Sequence, residues 1–346
     1  MRYIGDLPRG CELCKKGAKL VLFVTGVCGK GCYYCPLSEK RRGKDVSWAN
    51  ERPVVTADDV LEEARRMRAK GAGVTGGEPM LKFDRTIEYM RLLKDEFGDD
   101  FHLHLYTARL LGRQKLTRLK EAGLDEIRFH LMGDGLWRSV EKAVEVGLTT
   151  GIEIPVLPGE EERIIGTAER LKDVGGSFMN QNELEMVDVW SGVGEGMRTK
   201  SDESYGVAGS EETALKVLES GLSFNLHYCS SSFKDGVQLR NRLRRTAENT
   251  ARKFEEVTDE GLLFKGVVEL DDPSKETLTS LRDRIAEDFG IPLNMLALDV
   301  GKLRLETSPE ITAYLAEENQ RKGLVYSLVE EYPTWDGLQV SKTPLH

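Results

Sequence analysis

Segments of strand character alternate with segments of helical character from residue 19 to residue 229, and this alternation constrains the fold most. The strand segments are Lys19–Thr25, Gly73–Thr75, Phe101–Thr107, Glu126–Leu131, Gly151–Val156, Glu183–Val189 and Ser223–Cys229. Helices are expected at Ala57–Lys70, Phe83–Phe97, Leu111–Ala122, Leu136–Val146, Glu160–Val174 and Ser210–Ser220. Repeated strand–helix–strand units build a parallel sheet. Seven strands are too many for a small three-layer sandwich and come close to a β/α barrel.

Alternation within the strands adds a second constraint. One face carries Leu103, Leu105, Ile127, Phe129, Ile152 and Ile154. The other carries His102, His104, Arg128, His130, Glu153, Glu183, Glu185, His227 and Cys229. A sheet covered by helices on both faces is apolar on both. A polar second face fits a barrel with helices outside and a polar lumen that holds a ligand. The alternative, a sheet with one solvated face, is uncommon for parallel strands.

The character changes after Cys229. Lys234–Phe254 reads as a basic helix with an apolar stripe at Leu239, Leu243, Ala247, Ala251 and Phe254. Strand, helix, two strands, helix and strand follow from Leu262 to Glu330, a small α+β module of split βαβ type. The expected divisions are an N-terminal extension at 1–18, the barrel at 19–233, the connecting helix at 234–260 and the module at 261–346. The net charge of −9 disfavours general affinity for nucleic acid or anionic membrane. No apolar run approaches the roughly 20 residues of a membrane span. The N-terminus lacks the apolar core of a signal peptide. A cytoplasmic protein is therefore expected, in which cysteines serve as ligands rather than disulfides.

Cys28, Cys32 and Cys35 form C-x3-C-x2-C directly after the first strand. Three thiolates so placed hold three irons of a [4Fe–4S] cube and leave the fourth iron open. Gly26, Gly29 and Gly31 let the loop fold tightly. Zinc wants four ligands, and this is not a usual zinc spacing.

The loop GVCGKGCYYCPLS resembles the cluster loop of the radical S-adenosylmethionine (radical SAM) superfamily, including the aromatic Tyr34 before the last cysteine. Gly76-Gly77-Glu78-Pro79, at the end of the second strand, resembles that family's GGEP motif. The resemblance covers about residues 19–230 and is nearest to proteins related to the pyruvate formate-lyase activating enzyme. It implies a partial (β/α)6 barrel in which the open iron chelates S-adenosylmethionine. One electron then breaks the S–C5′ bond, and the 5′-deoxyadenosyl radical takes hydrogen from a substrate. It also implies that the GGEP segment lines the methionine amino group and that adenine lies near Tyr34 and Cys35. Thr107, Arg109, Arg128 and His130 are expected to contact the cofactor or substrate, with Arg109 or Arg128 on the methionine carboxylate. An electron donor such as ferredoxin or flavodoxin is implied, and a partner protein as substrate. RNA or a small metabolite is the alternative substrate. A non-catalytic iron–sulfur protein and a zinc-dependent nucleic-acid-binding module rank lower.

Cys11 and Cys14 form a separate C-x2-C pair, and His227 and Cys229 share one strand face. Cys14 is five residues before the first strand, and five extended residues span roughly 17 Å, enough to reach the barrel mouth near Cys229. The four would make a Cys3His set, suited to zinc or to an auxiliary iron–sulfur cluster. Without a metal, C-x2-C is a lone pair and Cys229 a small buried hydrophobe.

Overall fold

Among the described residues, seven strands run parallel: β1 Lys19–Phe23, β2 Gly71–Thr75, β3 His102–Thr107, β4 Glu126–Phe129, β5 Thr149–Val156, β6 Phe178–Glu183 and β7 Leu226–Cys229. They lie side by side in chain order. This is a computed structural model, and it describes residues 1–186, 196–319 and 321–345. The chain divides into two compact units, residues 1–65 with 69–239, and residues 66–68 with 240–346.

In the first unit, the strand Arg2–Ile4 pairs antiparallel with β7. Ser47–Ala49 pairs antiparallel with β1, and Arg52–Val54 extends that edge. The two edges do not pair, so the barrel is partial. Seven helices belong to this unit: α1 Arg9–Lys15, α2 Ala57–Arg66, α3 Phe83–Phe97, α4 Arg113–Glu121, α5 Trp137–Val146, α6 Glu161–Asp173 and α7 Ser210–Leu218. Leu20, Leu22, Val74, Leu103, Leu105, Ile127 and Ile152 are buried on the apolar strand face. Each such side chain stabilises the fold by about 1.5–3 kcal/mol.

The sixth strand differs from the sequence expectation. It runs over Phe178–Glu183 rather than Glu183–Val189, and residues 187–189 lie outside the described residues. Asn180, Gln181 and Asn182 read as loop by composition, yet a polar lumen wants the side chains of Asn180 and Asn182, which bond Glu153. Register with β5 sets Asn180 beside Glu153. The helix expected at Lys234–Phe254 is also altered. A short turn Ser231–Phe233 leads into a π-helical stretch Lys234–Leu239, and the α-helix α8 Arg240–Thr250 follows in the second unit.

Helix α1 was not foreseen as an element. It fills the barrel floor at the N-terminal ends of the strands. A Cβ on Gly10 would lie 2.6 Å from Arg128 Nη2 and 2.7 Å from His104 Nδ1, so only glycine allows this insertion. Leu13 is buried beside Gly71 at the start of β2.

The second unit contains β8 Leu263–Leu270, α9 Lys275–Phe289, β9 Ala297–Asp299, β10 Arg304–Thr307, α10 Pro309–Glu318, β11 Leu324–Glu331 and β12 Gln339–Leu345. Its antiparallel sheet has the order β9-β10-β8-β11-β12. Apart from the edge strand β12, this is the split βαβ arrangement. Both helices pack on one face, where Leu281, Ile285 and Leu315 meet Val268, Leu305 and Tyr326. The other face carries a buried ionic network. Lys265 pairs with Glu331 at 2.8 Å, Arg304 with Glu306 at 2.6 Å, and Arg252 with both Glu255 and Glu306. Cations and carboxylates alternate in it, so each buried charge has a partner. No helix among the described residues is long and apolar enough to cross a membrane.

Candidate active site

A cavity of about 590 Å³ occupies the lumen of the first unit. Its wall includes Cys28, Cys32, Cys35 and Tyr34 from the loop after β1, and Gly76–Pro79 from the turn after β2. Thr107, Arg128, His130, Glu153 and Lys19 belong to its polar lining, with Asn182, Glu183, Glu185 and Lys234.

The cysteine loop is held by a continuation of the β1/β2 pairing beyond the strand ends. The Val24 N–H donates to Thr75 O at 2.8 Å, the Gly77 N–H to Thr25 O at 2.7 Å, and the Glu78 N–H to Val27 O at 2.9 Å. Gly29 (φ +79°) and Gly31 (φ +66°) take left-handed conformations that let the loop turn between its cysteines. The three thiols are partly exposed. Burial pushes the Cys28 and Cys32 thiols above their ordinary range.

Glu78 is committed inside the protein. Its carboxylate accepts from Thr107 Oγ1 at 2.8 Å, from the Ala108 N–H at 2.8 Å and from the Met80 N–H at 3.1 Å. Burial raises its pKa, and the three donors oppose that shift. Glu78 therefore ties the GGEP turn to the end of β3, where the sequence reading gave it a cofactor role. Glu78→Gln replaces one acceptor oxygen by a donor facing donors. It is expected to lower stability by about 1–3 kcal/mol, read by urea denaturation. An unchanged midpoint would refute this structural role.

Tyr34 is latched to the barrel. Its hydroxyl lies 2.9 Å from His130 Nε2, and His130 Nδ1 lies 3.2 Å from the Glu153 carbonyl. A carbonyl only accepts, so Nδ1 carries the proton and Nε2 accepts from Tyr34. Burial keeps the His130 pKa below its ordinary value, so the ring is neutral.

Arg128 is buried and spoken for. It pairs with Glu126 at 2.5 Å and with Glu153 at 2.7 Å. Burial pushes both carboxyls up, but the guanidinium outweighs it, and Glu153 is held at about 2. Arg109 is exposed at the end of β3 and outside the cavity wall. The two arginines expected on a ligand carboxylate are thus one already paired and one turned outward. Lys19 was not singled out. It lines the cavity, and its ammonium makes no hydrogen bond or ion pair among the described residues. Its position was legible, because it alternates with the buried Leu20 and Leu22. Asn180 and Asn182, which bond Glu153 at 2.8 and 2.9 Å, were hidden by the misplaced strand.

Cys11, Cys14, His227 and Cys229 lie apart from this wall. Cys11 contacts Arg128 and Asn180, His227 contacts Asn180, and Cys14 and Cys229 both contact Gln238. Among the described residues, no three His, Cys, Asp or Glu side chains are drawn together around one point, at the Cys28 loop or elsewhere.

Comparison with known proteins agrees with this geometry. The model of the radical SAM superfamily matches residues 22–134. A model described as a domain of unknown function, DUF8061, matches residues 261–345. MJ0021 of Methanocaldococcus jannaschii, provisionally named a glycyl-radical enzyme activating enzyme, is 40% identical over 359 residues, covering 98% of this chain and 93% of that protein. Among solved structures, SuiB of Streptococcus suis is 14% identical with a TM-score of 0.46, over 72% of this chain and 56% of that one. SuiB bound to the precursor peptide SuiA gives 13% and 0.45, over 64% and 52%. A family match across the cysteine loop, joined to a relative of this identity over nearly the whole length, means that the chain belongs to the radical SAM superfamily of enzymes.

Proposed function

We propose that this enzyme binds a [4Fe–4S] cluster on Cys28, Cys32 and Cys35, cleaves S-adenosylmethionine, and acts on a partner protein. The observation that carries this reading is a set of three thiols, not four, on a braced loop facing a polar cavity. Three sulfur donors suit a cube with one open iron and do not close a zinc site. When bound, the cluster supplies the electron that breaks the S–C5′ bond, giving methionine and a 5′-deoxyadenosyl radical.

The protein's own groups bind, orient and shield. The GGEP turn fixes the loop through backbone hydrogen bonds. Tyr34 and His130 tie its far end to β4 and β5. The Lys19 ammonium attracts an anionic group of whatever occupies the cavity. Thr107 stays engaged with Glu78 and keeps the wall in place. A protein substrate is favoured by the full-length relative, provisionally named an activating enzyme. A ferredoxin- or flavodoxin-type protein is the proposed electron donor.

Anaerobic reconstitution followed by dithionite should yield 5′-deoxyadenosine from S-adenosylmethionine. The Cys28→Ala/Cys32→Ala/Cys35→Ala variant should yield none while keeping its circular dichroism spectrum. Product formation by that variant would refute the assignment. A glycyl-radical signal on a partner protein after incubation would identify protein activation. Turnover of a small metabolite or RNA without such a signal would favour the alternative substrates.

A further inference from the structure

The reactive groups left unused by the active site lie on α1 and on β7, outside the cavity wall. Cys11 and Cys14 are three apart on α1 and share a helix face. His227 and Cys229 are two apart on β7 and share a strand face. The pairs come from opposite ends of the first unit, yet two side-chain amides join them.

Gln238 forms one link: its Oε1 accepts from the Cys14 thiol at 2.9 Å, and its Nε2 donates to Cys229 Sγ at 3.3 Å. Asn180 forms the other. Its Nδ2 donates to Cys11 Sγ at 3.3 Å, and its Oδ1 lies 3.1 Å from His227 Nδ1. That oxygen only accepts, so Nδ1 carries the ring proton and Nε2 is a bare lone pair. His227 Nε2 is buried and has no partner among the described residues, on a residue 3% exposed. A buried acceptor without a donor is costly. This tautomer, with Nδ1–H held by a carbonyl oxygen, is the form in which histidine binds a metal.

Cations attend the thiols. Arg128 Nη2 lies 3.5 Å from Cys11 Sγ. Lys19, unpaired among the described residues, couples electrostatically to Cys14 and Cys11, and Lys234 to Cys229. Gln238 itself sits in the π-helical stretch, a distortion frequent at functional sites.

We propose that Cys11, Cys14, Cys229 and His227 bind a second iron–sulfur cluster between α1 and β7. Three of the four donors are sulfur, and side-chain amides now stand between them. No three of them converge around one point as a single zinc requires, and a cube bridges thiolates that lie further apart. Binding requires the Gln238 amide to swing aside and leave two sulfurs free. The site stands whether or not the Cys28 loop holds its own cluster.

The test is iron and sulfide counting with Mössbauer and EPR spectroscopy on the anaerobically reconstituted full chain. About eight irons per chain are expected, with about four in Cys28→Ala/Cys32→Ala/Cys35→Ala and about four in Cys11→Ala/Cys14→Ala. The first variant leaves α1 untouched, so its remaining cluster signal reports the second site alone. Adding Cys229→Ala to it should abolish that signal, and adding His227→Ala should shift its g-values. Absence of iron from a natively folded Cys28→Ala/Cys32→Ala/Cys35→Ala variant would overturn the proposal. So would one zinc that is lost on Cys11→Ala/Cys14→Ala while four irons stay.

Discussion

Arg128→Met lowers the unfolding free energy by about 3–5 kcal/mol at neutral pH, the usual cost of breaking a buried ion pair from one side. Methionine replaces the arginine stem but offers no charge. Glu126, 1% exposed, and the lumen-facing Glu153 would keep carboxylates that nothing balances. In the native protein Glu153 titrates at about 2 because Arg128, Asn180 and Asn182 overcome its burial. A carboxyl depressed in the folded state contributes stability that is complete above its unfolded pKa, near 4.5. That stability is lost as pH falls toward 2. In the variant the guanidinium no longer opposes burial; Asn180 and Asn182 still hold Glu153 and His102 still faces Glu126, but both folded pKa values rise. The penalty is then largest at neutral pH and relieved as the carboxyls protonate. The gap between wild type and variant should therefore narrow below about pH 5. Urea denaturation at pH 7 and about pH 4 reads it, and a gap independent of pH would contradict the argument.

The parts of this architecture legible in the sequence share one property: they are periodic or locally spaced. Strand alternation showed the polar lumen because His104, Arg128 and Glu153 fall every second residue between apolar ones. The cysteine loop and the GGEP turn were legible because each is contiguous. What stayed hidden depends on contacts between distant residues. Helix α1 is short and weakly patterned, and its fit rests on the missing Cβ of Gly10 against Arg128 and His104. β6 was misplaced because lumen-lining asparagines imitate a turn. Glu78 was expected within a segment lining the cofactor; it lies in the cavity wall, and its carboxylate is held by three donors from the end of β3 and its own turn, which sequence spacing did not show. Arg109 shows the limit of counting along a strand. It lies beyond the last residue of β3, where alternation no longer fixes direction.

Gly77→Val reduces 5′-deoxyadenosine formation about a hundredfold or more while the barrel still folds. A Cβ at Gly77 would lie 2.6 Å from Gly26 O and 2.7 Å from Val27 O. Both are backbone atoms, so no side chain can rotate away. The cysteine loop cannot yield freely either. The Gly26 N–H donates to Lys44 O at 2.8 Å, Gly26 O accepts from the Gly43 N–H at 2.9 Å, and Val27 O accepts from the Glu78 N–H at 2.9 Å. Valine must push this strand end off its partners, which carries Cys28 with it. Overpacking of this kind costs about 1–3 kcal/mol, too little to unfold the ten-stranded sheet. Displacement of reacting groups by about 1 Å is enough for a hundredfold loss of rate. Iron bound by the Cys28 loop should fall in parallel with product, because cluster and turn share one backbone. Gly166→Ala is the control: a Cβ there meets nothing within 4 Å, and iron content and rate should not change. If Gly77→Val loads iron and forms product like the wild type, the turn is not the brace of the cysteine loop.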